Sequence, residues 1–106
     1  ECTLEIRIDK VTRTFLKRIK QRFKPEKIIF FGSRVYGEAW TYSDYDFIIV
    51  SEIFKDMHWL KRISEIVKYW DSDKPIDILP YTKKEFEHKK EVSSVVSEAV
   101  KKGIEI

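Results

Sequence analysis

The chain has 106 residues, of which 42% are apolar and 37% charged, so it fits one folded domain and is too apolar for a disordered segment. No apolar run approaches the ~20 residues of a membrane-spanning helix, and the amino terminus has no signal-peptide pattern. The single cysteine, Cys2, excludes an internal disulfide and a cysteine-based zinc site. We therefore expect a single domain, residues 1–106, in the reducing cytoplasm and without membrane contact.

The net charge of +3 is unevenly distributed along the chain. The segment Arg7–Lys27 contains nine basic and two acidic residues, a net of +7, which leaves −4 for the remainder. Nucleic acid, a phosphorylated ligand or an acidic protein surface could each bind such a segment. Charge runs on helices are more often simply solvated, so the sequence leaves the target of this basic first helix open.

The chain has three glycines and three prolines, so most residues are expected in regular elements. Apolar residues recur at steps of three and four, and they predict a first helix that ends before Pro25, with Asp9 as its N-cap: Ile8, Val11, Phe15, Ile19 and Phe23. Strand Lys27–Phe31, a helical turn Arg34–Trp40 and strand Tyr45–Val50 follow. The next elements are a helix Asp56–Asp71, with Leu60, Ile63, Val67 and Trp70 on its apolar stripe, and strand Ile76–Leu79, which Pro80 closes. A further helix begins at the capping box Thr82–Glu85, breaks near Val92–Ser93 and stops at Gly103, and Ile104–Ile106 is an edge strand or a frayed tail. This order predicts an α/β (α+β) fold with a small mixed β-sheet and helices packed on it.

Acidic residues interrupt two of these apolar strands. Asp44 and Asp46 are two residues apart at the head of a strand, so alternation puts both carboxylates on one face. They would repel each other and be costly to desolvate, and a hard divalent cation such as Mg²⁺ relieves both effects. Asp77 lies in the next short strand, and if the two strands are neighbours, the three carboxylates can hold two metal ions for displacement at phosphorus.

Gly32 and Ser33 directly follow the first strand. Glycine lets the backbone approach a ligand closely, and the amides of the next helical turn, with the Ser33 hydroxyl, can bind phosphate. Arg34 could reach the same phosphate, or it could cap the turn or pair with an acidic neighbour. We therefore place a candidate phosphate site at this turn.

The combination resembles the signature of the minimal nucleotidyltransferases, or MNT domains, of the DNA polymerase β superfamily. That signature is Gly-Ser, ten residues, then Asp-x-Asp, and the resemblance covers nearly the whole chain. The matching residues are Gly32, Ser33, Arg34, Gly37, Ser43, Asp44, Asp46, the strand Phe47–Val50 and the later Asp77.

The resemblance implies a role for each motif residue. Asp44 and Asp46 would coordinate two Mg²⁺ ions, and Asp77 would ligate the catalytic ion and help to deprotonate the attacking hydroxyl. Gly32 and Ser33 would bind the triphosphate of ATP. The implied reaction transfers a nucleoside monophosphate, here AMP from ATP, to a hydroxyl and releases pyrophosphate.

The resemblance also implies a partner. Stand-alone MNT chains pair with helical HEPN proteins, often RNase toxins, so the implied acceptor is a tyrosine of a HEPN-type toxin and the implied role is that of an antitoxin. Two alternatives stay open: an antitoxin that masks its partner sterically without catalysis, and a transferase that acts on a small-molecule hydroxyl. A homo-oligomer is compatible with the sequence.

Overall fold

A computed structural model describes residues 9–36 and 44–106 of the chain. The helices are α1 Lys10–Phe23, α2 Ser33–Tyr36, α3 Trp59–Val67, α4 Lys83–Val92 and α5 Ser94–Lys102, with a 3₁₀ turn at Glu52–Phe54. The strands are β1 Lys27–Phe31, β2 Tyr45–Val50, β3 Ile76–Tyr81 and β4 Ile104–Glu105. The positions named above that lie outside the described residues are Cys2, Arg7, Ile8, Gly37, Trp40 and Ser43. No helix in the described ranges is long and apolar enough to cross a membrane.

The strands form one mixed sheet in the order β3-β2-β1-β4, which confirms the predicted fold class. Strand β1 is antiparallel to β2 and β4, whereas β2 and β3 are parallel. The end of β1 and the beginnings of β2 and β3 therefore meet at one end of the sheet. At that end Asp46 pairs with Phe31 on one side and with Asp77 on the other. We call it the acidic end.

Helices cover both faces of the sheet, which is why the central strands are apolar on both sides. Helices α1 and α3 pack on the face that carries Tyr45, Phe47 and Ile49. Helices α4 and α5 pack on the face that carries Ile48 and Val50. Because side chains alternate along β2, Asp46 belongs to the second face. The acidic side chain thus emerges where the α4 and α5 layer borders the acidic end.

Most of the predicted helix boundaries are confirmed by capping contacts. The Asp9 carboxylate accepts a hydrogen bond from the Thr12 amide at 2.8 Å, and the capping box at Thr82 forms in both directions. Ser93 ends α4 and caps α5, and its hydroxyl accepts from the Val96 amide. Of the two alternatives for the chain end, an edge strand or a frayed tail, the structure shows an edge strand at Ile104–Glu105.

The predicted helix Asp56–Asp71 is too long at both ends, since the helix spans Trp59–Val67, and one residue of its predicted apolar stripe is exposed. Val67 and Trp70 of that stripe do pack against the core. Asp56 has a φ of +63° and His58 is the N-cap, so the helix begins only at Trp59. Leu60 is 67% exposed. The buried position in its place is Arg62, and hydrophobic periodicity cannot foresee a buried cation.

A network around the Arg62 guanidinium explains this burial. The guanidinium donates to the carbonyl oxygens of Met57 at 2.8 Å and Pro80 at 3.1 Å. It also binds both carboxylate oxygens of Glu85, at 2.6 and 3.1 Å. Strand β3 runs through this proline to Tyr81, whereas the sequence predicted that Pro80 closes it. An edge strand tolerates proline, because the missing amide faces away from β2.

Glu85→Ala should destabilise the protein, because it leaves the buried Arg62 guanidinium without its carboxylate. We expect the free energy of unfolding to fall by about 3 kcal/mol, the low end of the range for a broken buried pair, since Glu85 is partly exposed. Guanidinium titration followed by circular dichroism measures this loss. Glu87→Ala is the matched control, because Glu87 pairs with Lys90 at the surface. Equal losses for the two variants would contradict the importance of this network.

Candidate active site

Three carboxylates gather at the acidic end of the sheet. Asp46 and Asp77 are register partners on the parallel strands β2 and β3, and Asp44 immediately precedes β2. One oxygen from each lies within 4.8 Å of the other two. Strands β2 and β3 are therefore neighbours, which was the condition for bringing the three carboxylates together. Asp44 and Asp77 are exposed and Asp46 is half-buried, so the cluster opens to solvent.

The electrostatics of the cluster are unfavourable without a counter-charge. Burial, followed by the charges of Asp77 and Asp44, raises the pKa of Asp46 to about 6. All three influences raise the pKa, so the site concentrates negative charge. An exposed set of oxygen ligands that repel one another is the donor set that Mg²⁺ and similar hard cations prefer. The three aspartates thus fit the divalent metal that the sequence predicted.

Gly32 is needed for a reason that the sequence analysis did not find. Its φ is +92°, a conformation that residues with side chains rarely adopt. A Cβ at this position would overlap the carboxylate of Asp46. The glycine was predicted to make room for a ligand, and its observed role is to make room for the central aspartate.

The turn after Gly32 leads directly into α2. The Gly32 carbonyl accepts hydrogen bonds from the amides of Val35 at 2.9 Å and Tyr36 at 3.0 Å. Ser33 is the first residue of this short helix and is exposed. Gly32, which adjoins Ser33 in the chain, lies against Asp46. The role of Ser33 in phosphate binding stays a prediction.

Tyr45 supports the site from the opposite face of β2. Its hydroxyl donates to the Asp9 carboxylate at 2.6 Å, and the Arg34 guanidinium lies 3.9 Å from the centre of its ring. Burial, together with the bond to Asp9, raises the pKa of Tyr45 to about 12, so it remains a donor at neutral pH. Burial acts to raise the pKa of Asp9, but the hydrogen bonds from Tyr45 and Thr12 outweigh it and lower that pKa.

This contact joins residues 36 positions apart and ties the start of α1 to the start of β2. No sequence pattern marked Tyr45 or Asp9 as partners. Arg34 was predicted to bind nucleotide, and its stacking on Tyr45 places it at the same turn as Ser33. The stack holds the guanidinium against the ring of Tyr45. A role of Arg34 in nucleotide binding stays a prediction.

A family model of the nucleotidyltransferase domain matches residues 12–104. The match spans both halves of the motif and the later Asp77, and the chain therefore belongs to the nucleotidyltransferase domain family. No curated protein matches the chain at a significant level.

Solved structures share the fold. A provisionally assigned nucleotidyltransferase from Sulfolobus solfataricus is 22% identical, with a TM-score of 0.62 over 83% of this chain and 80% of its own. BolA1 from Arabidopsis thaliana is 19% identical, with a TM-score of 0.59 over 74% of this chain and 98% of its own. At these identities the likeness shows the fold alone. Another provisionally assigned nucleotidyltransferase is 30% identical over 76% of this chain and 84% of its own, with a TM-score of 0.49.

Asp46→Asn should stabilise the metal-free protein at alkaline pH. The pKa of Asp46 is raised from 3.8 to about 6 in the folded state, so the folded protein holds this proton more tightly than the unfolded chain does. The wild type therefore loses stability as the pH rises from about 4 through about 6 and Asp46 ionises. The shift corresponds to about 3 kcal/mol at most, which solvent screening of this half-buried group reduces to about 1 kcal/mol. Thermal unfolding in EDTA at about pH 8 and about pH 4 measures the difference.

We expect the variant to be the more stable protein at the higher pH and the advantage to vanish at the lower one. Added Mg²⁺ should stabilise the wild type and leave the variant unchanged. Asp73→Asn, an exposed aspartate outside the cluster, is the control. An advantage of Asp46→Asn that is independent of pH would contradict the assigned electrostatics.

Gly32→Ala should destabilise the fold and weaken metal binding together. The added Cβ meets the Asp46 carboxylate in a backbone conformation that alanine disfavours, so we expect a loss of about 2 kcal/mol. The Mg²⁺-induced rise in unfolding temperature should shrink, because Asp46 must move. Ser33→Ala, at the exposed neighbouring position, should keep the stability of the wild type. A Gly32→Ala protein with wild-type stability and Mg²⁺ response would show that the contact is unimportant.

Proposed function

We propose that this protein is a Mg²⁺-dependent nucleotidyltransferase that moves AMP from ATP to a hydroxyl of a partner protein. The observation that carries the proposal is the convergence of Asp44, Asp46 and Asp77 beside the Gly32-Ser33 turn. Membership of the nucleotidyltransferase domain family supports the transfer of a nucleotidyl group. The choice of AMP and of a protein acceptor goes beyond the family and rests on the resemblance to MNT domains.

The site residues would have three roles: binding metal ions, binding the nucleotide and accepting a proton. Asp44, Asp46 and Asp77 would hold two Mg²⁺ ions. When bound, these ions would supply positive charge against the triphosphate and make the acceptor hydroxyl more acidic. Ser33 and the backbone of Gly32 would hold the phosphates that leave. Asp77, as an exposed carboxylate, can accept the proton of the attacking hydroxyl.

The reaction joins the acceptor oxygen to the α-phosphorus of ATP and breaks the bond from that phosphorus to the bridging oxygen, so pyrophosphate leaves. An acceptor can approach because two of the three carboxylates are exposed at the acidic end. Following the resemblance, we propose that the acceptor is a tyrosine hydroxyl of a helical HEPN-type toxin and that this protein acts in the cytoplasm as its antitoxin.

Transfer can be measured with ATP labelled at the α-phosphate, Mg²⁺ and the candidate helical toxin. We expect label on the toxin from wild type, loss of label with EDTA, and at least a ~100-fold slower reaction for the double variant Asp44→Asn, Asp46→Asn, since these groups act together on developing charge. Unlabelled GTP and CTP as competitors test the preference for ATP.

The chain offers a matched control for this double variant. Asp71 and Asp73 have the same two-residue spacing, are exposed and do not belong to the cluster, so Asp71→Asn, Asp73→Asn makes the same charge change outside it. This control should retain the wild-type rate. Absence of label transfer from wild type in a complex that demonstrably forms would overturn the proposal. If the Asp44→Asn, Asp46→Asn protein neutralises the toxin fully, steric masking is the function instead.

A further inference from the structure

A line of cations follows the outward side of helix α1. They recur at alternating steps of three and four, which places them along one side of a helix, and all are exposed. The helix buries its other side in the core through Phe15, Ile19 and Phe23. Four of the cations lie within the helix and span about 15 Å at 1.5 Å per residue. We call this line the basic stripe: Lys10, Arg13, Lys17, Lys20 and the C-cap residue Lys24.

The basic stripe lacks the local compensation that the other long helices have. Helix α1 contains no acidic residue, and no carboxylate in the described ranges lies within 4 Å of a stripe cation. By contrast, a Lys–Glu pair three or four residues apart lies on each of α4 and α5 and at the end of α3. Like charges at these spacings destabilise a helix, so helix stability does not explain the stripe.

The cationic surface continues beyond the end of the helix. Lys20 and Lys24 line an open groove of about 390 Å³ together with Lys27. Glu26 is the acidic residue among the residues lining this groove. Positive charge therefore extends from the first turn of α1 to the beginning of β1.

The composition of the stripe distinguishes between an acidic protein and a nucleic acid as the partner. The centres of protein interfaces are apolar and poor in lysine. The stripe has four lysines, and the exposed neutral residues beside it are polar, Thr14 and Gln21. Evenly spaced cations without an apolar centre are suited to bind a polyanion with regularly spaced charges, such as a nucleic acid. Contacts to its phosphates do not depend on the base sequence.

We propose that the basic stripe binds the phosphate backbone of a nucleic acid without sequence preference. The orientation of α1 adds a spatial consequence. Asp9, at the start of the helix, is bonded to Tyr45 at the acidic end, whereas the Glu26 amide donates to the carbonyl of Val50 at the opposite end of the sheet. A strand on the stripe therefore extends along the sheet with one end near the carboxylates. Binding by the stripe does not require the proposed transfer reaction.

Fluorescence anisotropy with labelled RNA, as a duplex and as a single strand, tests the proposal over a salt series. If five phosphates are contacted, log K should fall against log salt with a slope of about −4.5 for a duplex, taking the DNA coefficient, and about −3.5 for a single strand. The double variant Lys17→Gln, Lys20→Gln should reduce the duplex slope to about −2.7 and weaken binding about 60-fold at ~0.1 M salt. Glutamine retains helix propensity, and circular dichroism checks the fold.

The matched control is Lys84→Gln, Lys89→Gln, which removes the same charge from exposed positions on α4. It should bind within about twofold of the wild type, because its lysines lie outside the proposed contact. A second stripe variant, Lys10→Gln, Arg13→Gln, should repeat the loss if the first variant folds poorly. Absence of binding at ~50 mM salt, equal weakening by stripe and control variants, or equal competition by polyglutamate would each overturn the proposal.

Discussion

The repulsion among three clustered carboxylates is the constraint on which the rest of this structure depends. Asp46 is the centre of the cluster, and burial with two acidic neighbours raises its pKa to about 6. Folding does not relieve this repulsion, because the parallel pairing of β2 and β3 puts Asp46 and Asp77 in register. The apolar surface buried along both faces of β2 must therefore stabilise an arrangement that its own acidic end opposes.

Residues on both faces of the sheet hold the three carboxylates in place. On the side of the carboxylates, Gly32 provides the space that Asp46 occupies. On the other side, Tyr45 packs against Trp70 and bonds to Asp9, so the start of β2 cannot shift without breaking contacts with α1. A one-residue slip of β2 would turn Asp46 into the α1 layer and Tyr45 out of it. The register of one strand is thus fixed by contacts of opposite character on its two faces.

The sequence could reveal the local parts of this site but not the contacts between distant segments. The motif spacing can be read directly from a short stretch of sequence that contains Gly32, Ser33, Asp44 and Asp46. The helix caps at Asp9 and Thr82 are likewise local in sequence. The sequence could place Asp77 beside Asp46 only on the condition that their strands are neighbours, because strand order depends on pairing across the whole fold. The contact of Gly32 with Asp46 and the bond from Tyr45 to Asp9 were missed for the same reason.

Errors in the helix prediction have a related physical origin. Periodicity assumes that buried positions are apolar, but one of the buried positions on α3 is Arg62, whose charge is balanced by Glu85 from another helix. Leu60 was assigned to the core because no local signal shows that an arginine will find a carboxylate there. The continuation of β3 through Pro80 was missed because the sequence does not say that this strand is at the edge of the sheet.

Charge is separated in this fold as well as clustered. The side chain of Asp46 belongs to the face covered by α4 and α5, whereas α1 and its basic stripe cover the opposite face. Cations that reached the carboxylates would neutralise them and compete with a metal ion, so the sheet serves as a barrier between charges that would otherwise pair. The small net charge of +3 therefore conceals two surfaces of opposite sign. Because neither surface neutralises the other, each keeps its charge for the ligand proposed for it, a metal–nucleotide complex at one end and a polyanion along the other face.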